Sequence, residues 1–227
     1  LPPGKAKIAK LPLKDASECL VQGEAQAIIQ AIWQAQPYKP GGILTVADVK
    51  QEALKQPAMG LSYPWEEISY ATYGRHPGNL IALGGGTGCG KTTIVTDMVA
   101  HDVYTLSIPT CIFHSEQVPK ETAQRVAGMI KGEILHLPDS DPKALSDALE
   151  LLQDKGNLYL YDDSEAFTWE AIRENARYVH YAFGVKSFYL DNLTALASHA
   201  EDERRFLDGL MKDIADFAKD TGTIWHI

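Results

Sequence analysis

A glycine-rich stretch from Gly84 to Thr93 contains the residue types that bind the phosphates of a nucleotide. Read from Gly85, it matches the pattern G-x-x-x-x-G-K-S/T, in which glycines let backbone N–H groups turn toward phosphate oxygens. Lys91 can reach the β- and γ-phosphates of a nucleoside triphosphate, and the Thr92 hydroxyl can bind Mg²⁺. The predicted nucleotide-binding residues are Gly85, Gly86, Thr87, Gly88, Cys89, Gly90, Lys91, Thr92 and Thr93.

The segments on both sides of this stretch are those that the motif requires. Residues 79–83 form an apolar run typical of a buried parallel strand, and residues 92–100 continue with helical spacing. The N-terminus of such a helix adds partial positive charge beside the phosphates. A glycine-rich turn that binds nothing is the alternative, but the agreement of the pattern with both flanks favours phosphate binding.

Asp191 ends an apolar run that begins at Ser187. A carboxylate at the end of a buried strand is typical of the acid that holds magnesium in phosphate-loop enzymes, usually through water. The alternative is a cap for the following segment, since many buried strands end in aspartate. We predict that Thr92 and Asp191 are the metal-binding residues, with Asp191 acting through water.

Glu116 directly follows the predicted strand 109–115. Enzymes that hydrolyse a triphosphate need a carboxylate that orients and deprotonates the attacking water, whereas kinases do not. Glu116 could instead be a favourable charge at the N-terminus of the predicted helix 119–131, and one residue can serve both purposes. We predict that Glu116 and Lys91 are the catalytic residues.

Strands and helices alternate from residue 79 onward. The predicted strands are 79–83, 109–115, 157–162, 187–191 and 222–227, and the predicted helices are 92–100, 119–131, 141–155, 168–183 and 201–219. This alternation predicts an α/β fold with a mostly parallel sheet covered by helices on both faces. Because ligands bind at the carboxyl ends of the strands in such a sheet, the glycine-rich loop, Glu116 and Asp191 are expected to meet there.

The first part of the chain has a less regular pattern. A short strand is predicted at residues 5–9, a helix at 24–36, and a break rich in proline and glycine at 37–42. A second short helix is predicted at 45–56, and residues 57–78 are expected to be irregular.

Composition limits the classes of function. The net charge of −9 is the wrong sign for a protein that coats nucleic acid generally, so any contact with DNA is expected to be local or to be made in an assembly. The three cysteines have no metal-binding spacing and fit a reducing, intracellular setting. No apolar run is long enough to span a membrane, and a start at Leu1 rather than Met suggests a fragment.

The order of these motifs resembles the RecA-like core of DnaB-type replicative helicases. The resemblance is closer to phage bifunctional primase-helicases and to the mitochondrial replicative helicase Twinkle. It rests on residues 116–123 (EQVPKETA), which begin with Glu116, on 189–192 (YLDN), which include Asp191, and on 202–205 (DERR), which lead into the long predicted helix. Residues 3–9 and 14–19 are similar to the last strand and exit of the family's TOPRIM primase fold.

The resemblance implies three parts in the chain. Residues 1–22 would be a remnant of the TOPRIM-like primase domain, and residues 23–57 a helical linker. Within this linker, helix 45–56 would pack on a neighbouring subunit. Residues 58–227 would be the RecA-like ATPase core, incomplete at its C-terminus because the family's arginine finger lies further along the chain.

The function implied by the resemblance is that of a replicative DNA helicase. It would form a ring, usually a hexamer, that hydrolyses ATP or another NTP or dNTP with Mg²⁺ and translocates 5′ to 3′ on single-stranded DNA. A replicative polymerase would be a further partner, and no membrane would be involved. A phage protein would act in the cytoplasm of its bacterial host, and a Twinkle-like protein in the mitochondrial matrix.

The family places DNA-contacting loops after the strand that ends in Asp191, so the candidate DNA contacts are Asn192, Ser198, His199 and Arg204. An ordinary surface loop explains the same segment equally well, because the loop carries no basic residue before Arg204. His226 precedes the family's phosphate-sensing position and fits a strand histidine better than a sensor. Two other functions remain open, a RecA-like recombinase or ring ATPase without unwinding activity, and an interaction module with nucleotide as a fixed ligand.

Overall fold

The computed structural model describes residues 5–38, 43–86, 88–162, 167–197 and 202–227. The chain divides into two compact units, Leu1–Pro57 and Ala58–Ile227. Three of the predicted site residues, Thr87, Ser198 and His199, lie outside the described residues. Among the described residues, no helix combines the length and the apolar composition needed to cross a membrane.

In its described residues, 5–38 and 43–57, the first unit contains three short helices and a small antiparallel sheet. Its elements are β1 (Lys7–Ile8), α1 (Ala16–Val21), α2 (Ala25–Trp33), β2 (Gln36–Pro37) and α3 (Val46–Ala53). The break predicted at residues 37–42 is wrong at its first position, because Pro37 pairs with Lys7 in the sheet. Proline is tolerated there because the sheet has two strands and both are edges. The assignment of residues 1–22 to a TOPRIM fold stays a prediction.

The second unit alternates strands and helices. It contains α4 (Glu66–Thr72), β3 (Leu80–Ile81), α5 (Lys91–Ala100), β4 (Thr110–His114), α6 (Pro119–Lys131), α7 (Pro142–Lys155), β5 (Leu158–Leu160), α8 (Trp169–Phe183), β6 (Ser187–Asp191), α9 (Leu193–Ala197), α10 (Glu203–Thr221) and β7 (Ile224–His226). Helix α5 continues directly into one turn of π-helix, His101–Thr105.

The five strands that the structure describes in the second unit form one parallel sheet in the order β3-β7-β6-β4-β5. The predicted α/β fold with a parallel sheet flanked by helices is confirmed. Strand β7 lies between β3, which precedes the glycine-rich loop, and β6, which ends in Asp191. At the carboxyl ends of the strands, the start of the glycine-rich loop and Asp191 are therefore separated by one strand, β7.

Two hydrophobic clusters cover the two faces of this sheet. Along β4, Phe113 belongs to one cluster and its neighbour Ile112 to the other, because successive side chains of a strand point to opposite faces. The first cluster includes residues of α8 and α10, and the second includes residues of α5, α6 and α7. Burial on both faces explains why these strands are continuous apolar runs in the sequence.

Two expected irregular segments contain helices. Helix α4 forms within residues 57–78, and helix α9 forms within the expected surface loop after Asp191. Helix α4 carries Glu66 and Glu67 in its first turn, where carboxylates are favourable, and ends at Tyr73 in a left-handed conformation. Both helices are only one or two turns long, which is too short for a helical period to be visible in the sequence.

Candidate nucleotide-binding site

One glycine of the glycine-rich loop is favoured by its backbone conformation, and another leaves room for a neighbouring side chain. Gly90 is the residue before helix α5 and has φ of 92°, a left-handed conformation that side chains disfavour. A Cβ atom on Gly85 would lie 2.6 Å from the sulfur of Cys89, which is closer than such atoms approach. The turn into α5 therefore favours glycine at position 90, whereas a side chain at position 85 would only require the exposed side chain of Cys89 to move.

Lys91 is the first residue of α5, and its side chain folds back over the loop. Its Nζ atom donates hydrogen bonds to the carbonyl oxygens of Gly85 (2.8 Å) and Gly86 (2.9 Å). These bonds hold the ammonium beside the N-terminus of α5, where backbone N–H groups and the helix dipole already favour an anion. The positive charges needed to bind a phosphate thus converge on one side of the loop.

Thr92 and Asp191 meet directly. The Thr92 hydroxyl donates to Oδ2 of Asp191 at 2.9 Å, which joins the start of α5 to the end of β6. His114 Nδ1 lies 3.6 Å from the same carboxylate oxygen. Burial lowers the pKa of His114 and the Asp191 charge opposes this, with a lower pKa as the net result. A neutral imidazole at neutral pH leaves the negative charge of Asp191 largely uncompensated by this neighbour.

The Thr92 and Asp191 oxygens fit Mg²⁺, which prefers hard oxygen ligands and keeps several waters and substrate phosphates in its coordination shell. In the part of the chain that the structure describes, no group of three or more histidine, cysteine or acidic side chains could hold a metal by itself. A metal at this position would therefore depend on phosphate oxygens and water for most of its ligands.

Glu116 lies two residues beyond the end of β4, beside the end of β6. The backbone N–H of Ser115 donates to the Asp191 carbonyl oxygen at 2.9 Å, so the two strand ends are joined. Oε1 of Glu116 accepts a hydrogen bond of 2.8 Å from Nδ2 of Asn192. The side chain of Glu116 is exposed, which leaves its carboxylate accessible to a substrate water.

A cleft of about 840 Å³ brings the four side chains of the predicted chemistry together. It is lined by Ala82, Leu83, Gly84, Gly85, Gly88, Gly90, Lys91, Thr92, Val95, Glu116, Leu190, Asp191, Asn192, Leu193, Thr194, Met211 and Ile227. A volume in this range is typical of small-molecule sites. Cys89 and Thr93 are exposed beside the cleft, and Arg204 is exposed in the first turn of α10.

A second, buried polar cluster lies on the face of the sheet that carries the Asp191 side chain, and it was not predicted from the sequence. Asp102, in the π-helix, forms a fully buried ion pair with Arg75. Its Oδ2 atom also accepts hydrogen bonds from Ser187 Oγ (2.7 Å) and Tyr189 OH (2.8 Å). Burial disfavours the charge of Arg75, but Asp102 and Tyr189 outweigh this and raise its pKa.

His226 belongs to this buried cluster, in agreement with its interpretation as a strand histidine. Its Nδ1 lies 3.1 Å from the Phe188 carbonyl oxygen, which requires a proton on Nδ1. Its Nε2 lies 3.3 Å from an Arg75 nitrogen and must accept that hydrogen bond, because guanidinium has only donors. Burial lowers the pKa of His226 to about 4, so the ring is neutral near pH 7.

Comparisons with known proteins agree with this architecture. The sequence model of the DnaB-like helicase C-terminal domain matches residues 60–222. A DNA helicase/primase of Enterobacteria phage T3 is 27% identical over 237 aligned residues, which cover 99% of this chain and 42% of that protein. The chain thus spans less than half the length of this relative.

Solved structures share the fold. A DnaB-like replicative helicase, described with its interactions with primase, superposes with a TM-score of 0.65 at 14% identity over 92% of this chain and 55% of that one. A KaiC-like protein from the archaeon Pyrococcus horikoshii superposes with a TM-score of 0.52 at 17% identity over 68% of this chain and 64% of that one. At such identities the likeness shows the fold alone.

Proposed function

The chain belongs to the family of DnaB-like helicase C-terminal domains, and we propose that its cleft hydrolyses a nucleoside triphosphate to drive translocation on single-stranded DNA. The observation that carries the proposal is the meeting, in one cleft, of a phosphate-binding loop, the Thr92–Asp191 pair and Glu116. Each group in this set has a separate task in hydrolysis, and a site that only bound nucleotide would not need Glu116.

The residues divide the work of the reaction. Lys91 binds the β- and γ-phosphates. Its Nζ atom then donates hydrogen bonds to phosphate oxygens in place of the carbonyl oxygens of Gly85 and Gly86. Thr92 would hold Mg²⁺ through its hydroxyl and Asp191 would hold it through water, and a bound ion would supply positive charge against the phosphates. Glu116 takes a proton from the water whose oxygen forms a bond to the γ-phosphorus, while the bond from that phosphorus to the β-phosphate oxygen breaks.

The proposed assembly is a ring, with six subunits by analogy with the family, that moves 5′ to 3′ and unwinds duplex DNA. Helix α3, which lies within the predicted helix 45–56, is the proposed contact with a neighbouring subunit. Its support is apolar surface, because Val46 in α3 is 81% exposed and Leu54, directly after α3, is 68% exposed. The whole protein is proposed to be a primase-helicase with a replicative polymerase as a further partner. ATP or another NTP or dNTP is the proposed substrate.

The proposed DNA contacts lie in the segment that comes after strand β6 in the sequence. Arg204 is exposed at the start of α10 and can bind a backbone phosphate. Ser198 and His199 remain candidates from their positions in the sequence. Because the chain is acidic, few contacts per subunit are expected, and the ring would add them as avidity.

The experiment that tests the proposal compares two variants of the full-length protein. Lys91→Ala is expected to lose nucleotide binding and NTP-dependent unwinding, because the phosphates lose their cation. Glu116→Gln is expected to keep nucleotide binding but to lose turnover by about 10²- to 10⁴-fold, because only the proton acceptor is removed. Nucleotide affinity, phosphate release and strand displacement are measured for each variant.

Lys143→Ala, at an exposed lysine near the start of α7, is the matched control and should retain all three measured properties. Unwinding that survives Lys91→Ala would overturn the assignment of the cleft. Equal loss of binding and turnover in Glu116→Gln would make Glu116 structural. Turnover in the wild type without strand displacement would favour a recombinase or a ring ATPase over a helicase.

A further inference from the structure

The side chain of Asn192 joins Glu116 to helix α9. Its Nδ2 atom donates to Oε1 of Glu116 at 2.8 Å. Its Oδ1 atom accepts two hydrogen bonds at the start of α9, from the backbone N–H of Ala195 (2.8 Å) and the hydroxyl of Thr194 (2.9 Å). One amide therefore caps a helix with its oxygen and holds a carboxylate with its nitrogen.

The two ends of this amide are not interchangeable. A backbone N–H can only donate, so the atom that faces Ala195 must be the oxygen, and the NH₂ group must face Glu116. The main chain is held as well, because the Asn192 N–H donates to the Ser115 hydroxyl at 3.3 Å. Asn192 thus presents a donor of defined direction to Glu116.

Glu116 needs such a partner. A proton acceptor works only when it is held within hydrogen-bond reach of the water it activates. An exposed glutamate has several freely rotating bonds, and ordering it costs conformational entropy. A hydrogen bond from an already ordered amide removes part of this freedom before the substrate binds.

We propose that Asn192 is a positioning residue for hydrolysis, which holds the Glu116 carboxylate in the cleft. This inference rests on the proposed function, because it assigns Asn192 a task only if Glu116 activates water. Asn192 is also one of the candidate DNA contacts that the resemblance implies. The geometry points instead to a role inside the nucleotide site, because both polar atoms of the side chain have partners there.

The test compares Asn192→Ser and Asn192→Ala in the full-length protein. Serine can still cap α9 but is too short to reach Glu116, whereas alanine can do neither. Both variants are expected to lower kcat for NTP hydrolysis about tenfold, with KM and nucleotide affinity within about twofold of wild type. Asp141→Ala, which removes the capping bond from Asp141 to the N–H of Lys143 at the start of α7, is the control and should keep wild-type turnover.

A double variant separates positioning from a general structural effect. In the Glu116→Gln background, where the proton acceptor is already lost, Asn192→Ser is expected to cause no further loss of turnover. The inference is overturned if kcat is unchanged in both single variants, if only Asn192→Ala loses activity, or if the double variant loses the full tenfold again. A wild type that does not hydrolyse NTP would contradict the proposed function itself.

Discussion

Strand β6 carries two polar clusters on one face, at its two ends. At the carboxyl end, Asp191 meets the Thr92 hydroxyl at the start of α5. Nearer the other end, the Ser187 hydroxyl meets Asp102, which lies in the π-helix that continues α5. In both clusters a hydrogen bond between a carboxylate and a hydroxyl joins β6 to α5 or to its π-helical continuation. Only the first cluster opens into the cleft.

The difference lies in how many hydrogen bonds each carboxylate already has. Asp102 is fully buried and accepts two bonds from Arg75, one from Ser187 and one from Tyr189, which accounts for about all of its lone pairs. Among the described residues, the Asp191 side chain accepts a hydrogen bond only from Thr92, and it is 15% exposed. A carboxylate can take up a metal or water only where its oxygens have capacity left.

The largest expected effect is on the buried cluster. Arg75→Met should lower the free energy of unfolding by about 3–5 kcal/mol, because Asp102 would be left as a buried charge without its cation. Arg125→Met, which breaks the more exposed pair with Glu121, is the control and should cost about 0.5 kcal/mol. Urea unfolding measures both, and similar small costs would show that burial does not distinguish the pairs.

The pH dependence of stability tests the buried cluster in a second way. The folded protein keeps His226 neutral down to its lowered pKa of about 4, whereas the unfolded chain binds the proton near pH 6.5. The unfolded state therefore binds more protons between these values, and stability present above pH 6.5 falls as the pH is lowered toward 4. The expected loss from this residue is about 3 kcal/mol.

His226→Gln provides the comparison for this prediction. The variant cannot titrate at this position, so its free energy of unfolding should depend less steeply on pH between 4 and 6.5 than that of the wild type. Urea unfolding at several pH values gives both slopes. Equal slopes would mean that burial does not keep His226 neutral in the folded protein.

Of the two clusters, the one at the open end of the strand is expected to contribute less to stability. Thr92→Val removes the bond to Asp191 but should change the free energy of unfolding by only about 1 kcal/mol, since water can replace the hydroxyl. The Mg²⁺ concentration needed for half-maximal nucleotide binding should rise at least about tenfold, because a metal ligand is lost. A large loss of stability with unchanged magnesium dependence would reverse the roles of the two clusters.

Much of the second unit could be predicted from local signals. The bounds of helix α6 agree with the sequence prediction, because Pro119 marks its start and Gly132 its end in a left-handed conformation. The capping residue Thr168 and Gly184 likewise bound α8. These signals lie within a few residues of the helix ends, so the sequence alone reveals them.

Contacts between distant residues could not be predicted in the same way. The pair Arg75 and Asp102 joins positions with no shared motif, and neither sequence neighbourhood indicates the partner. The role of Asn192 was also hidden, because it depends on the end of β4 lying beside the end of β6. The glycine-rich loop was recognisable because its residues are consecutive, and Glu116 and Asp191 because each ends a strand.

The position of β7 has a consequence for how the protein is made. Strand β3 pairs in the sheet with β7, whose partner residue Trp225 follows Leu80 by about 145 positions in the chain. During synthesis, β4, β5 and β6 can associate before β7 leaves the ribosome, but β3 has no neighbour in the sheet until then. The nucleotide pocket would therefore take shape late in translation, after most of the domain that supports it.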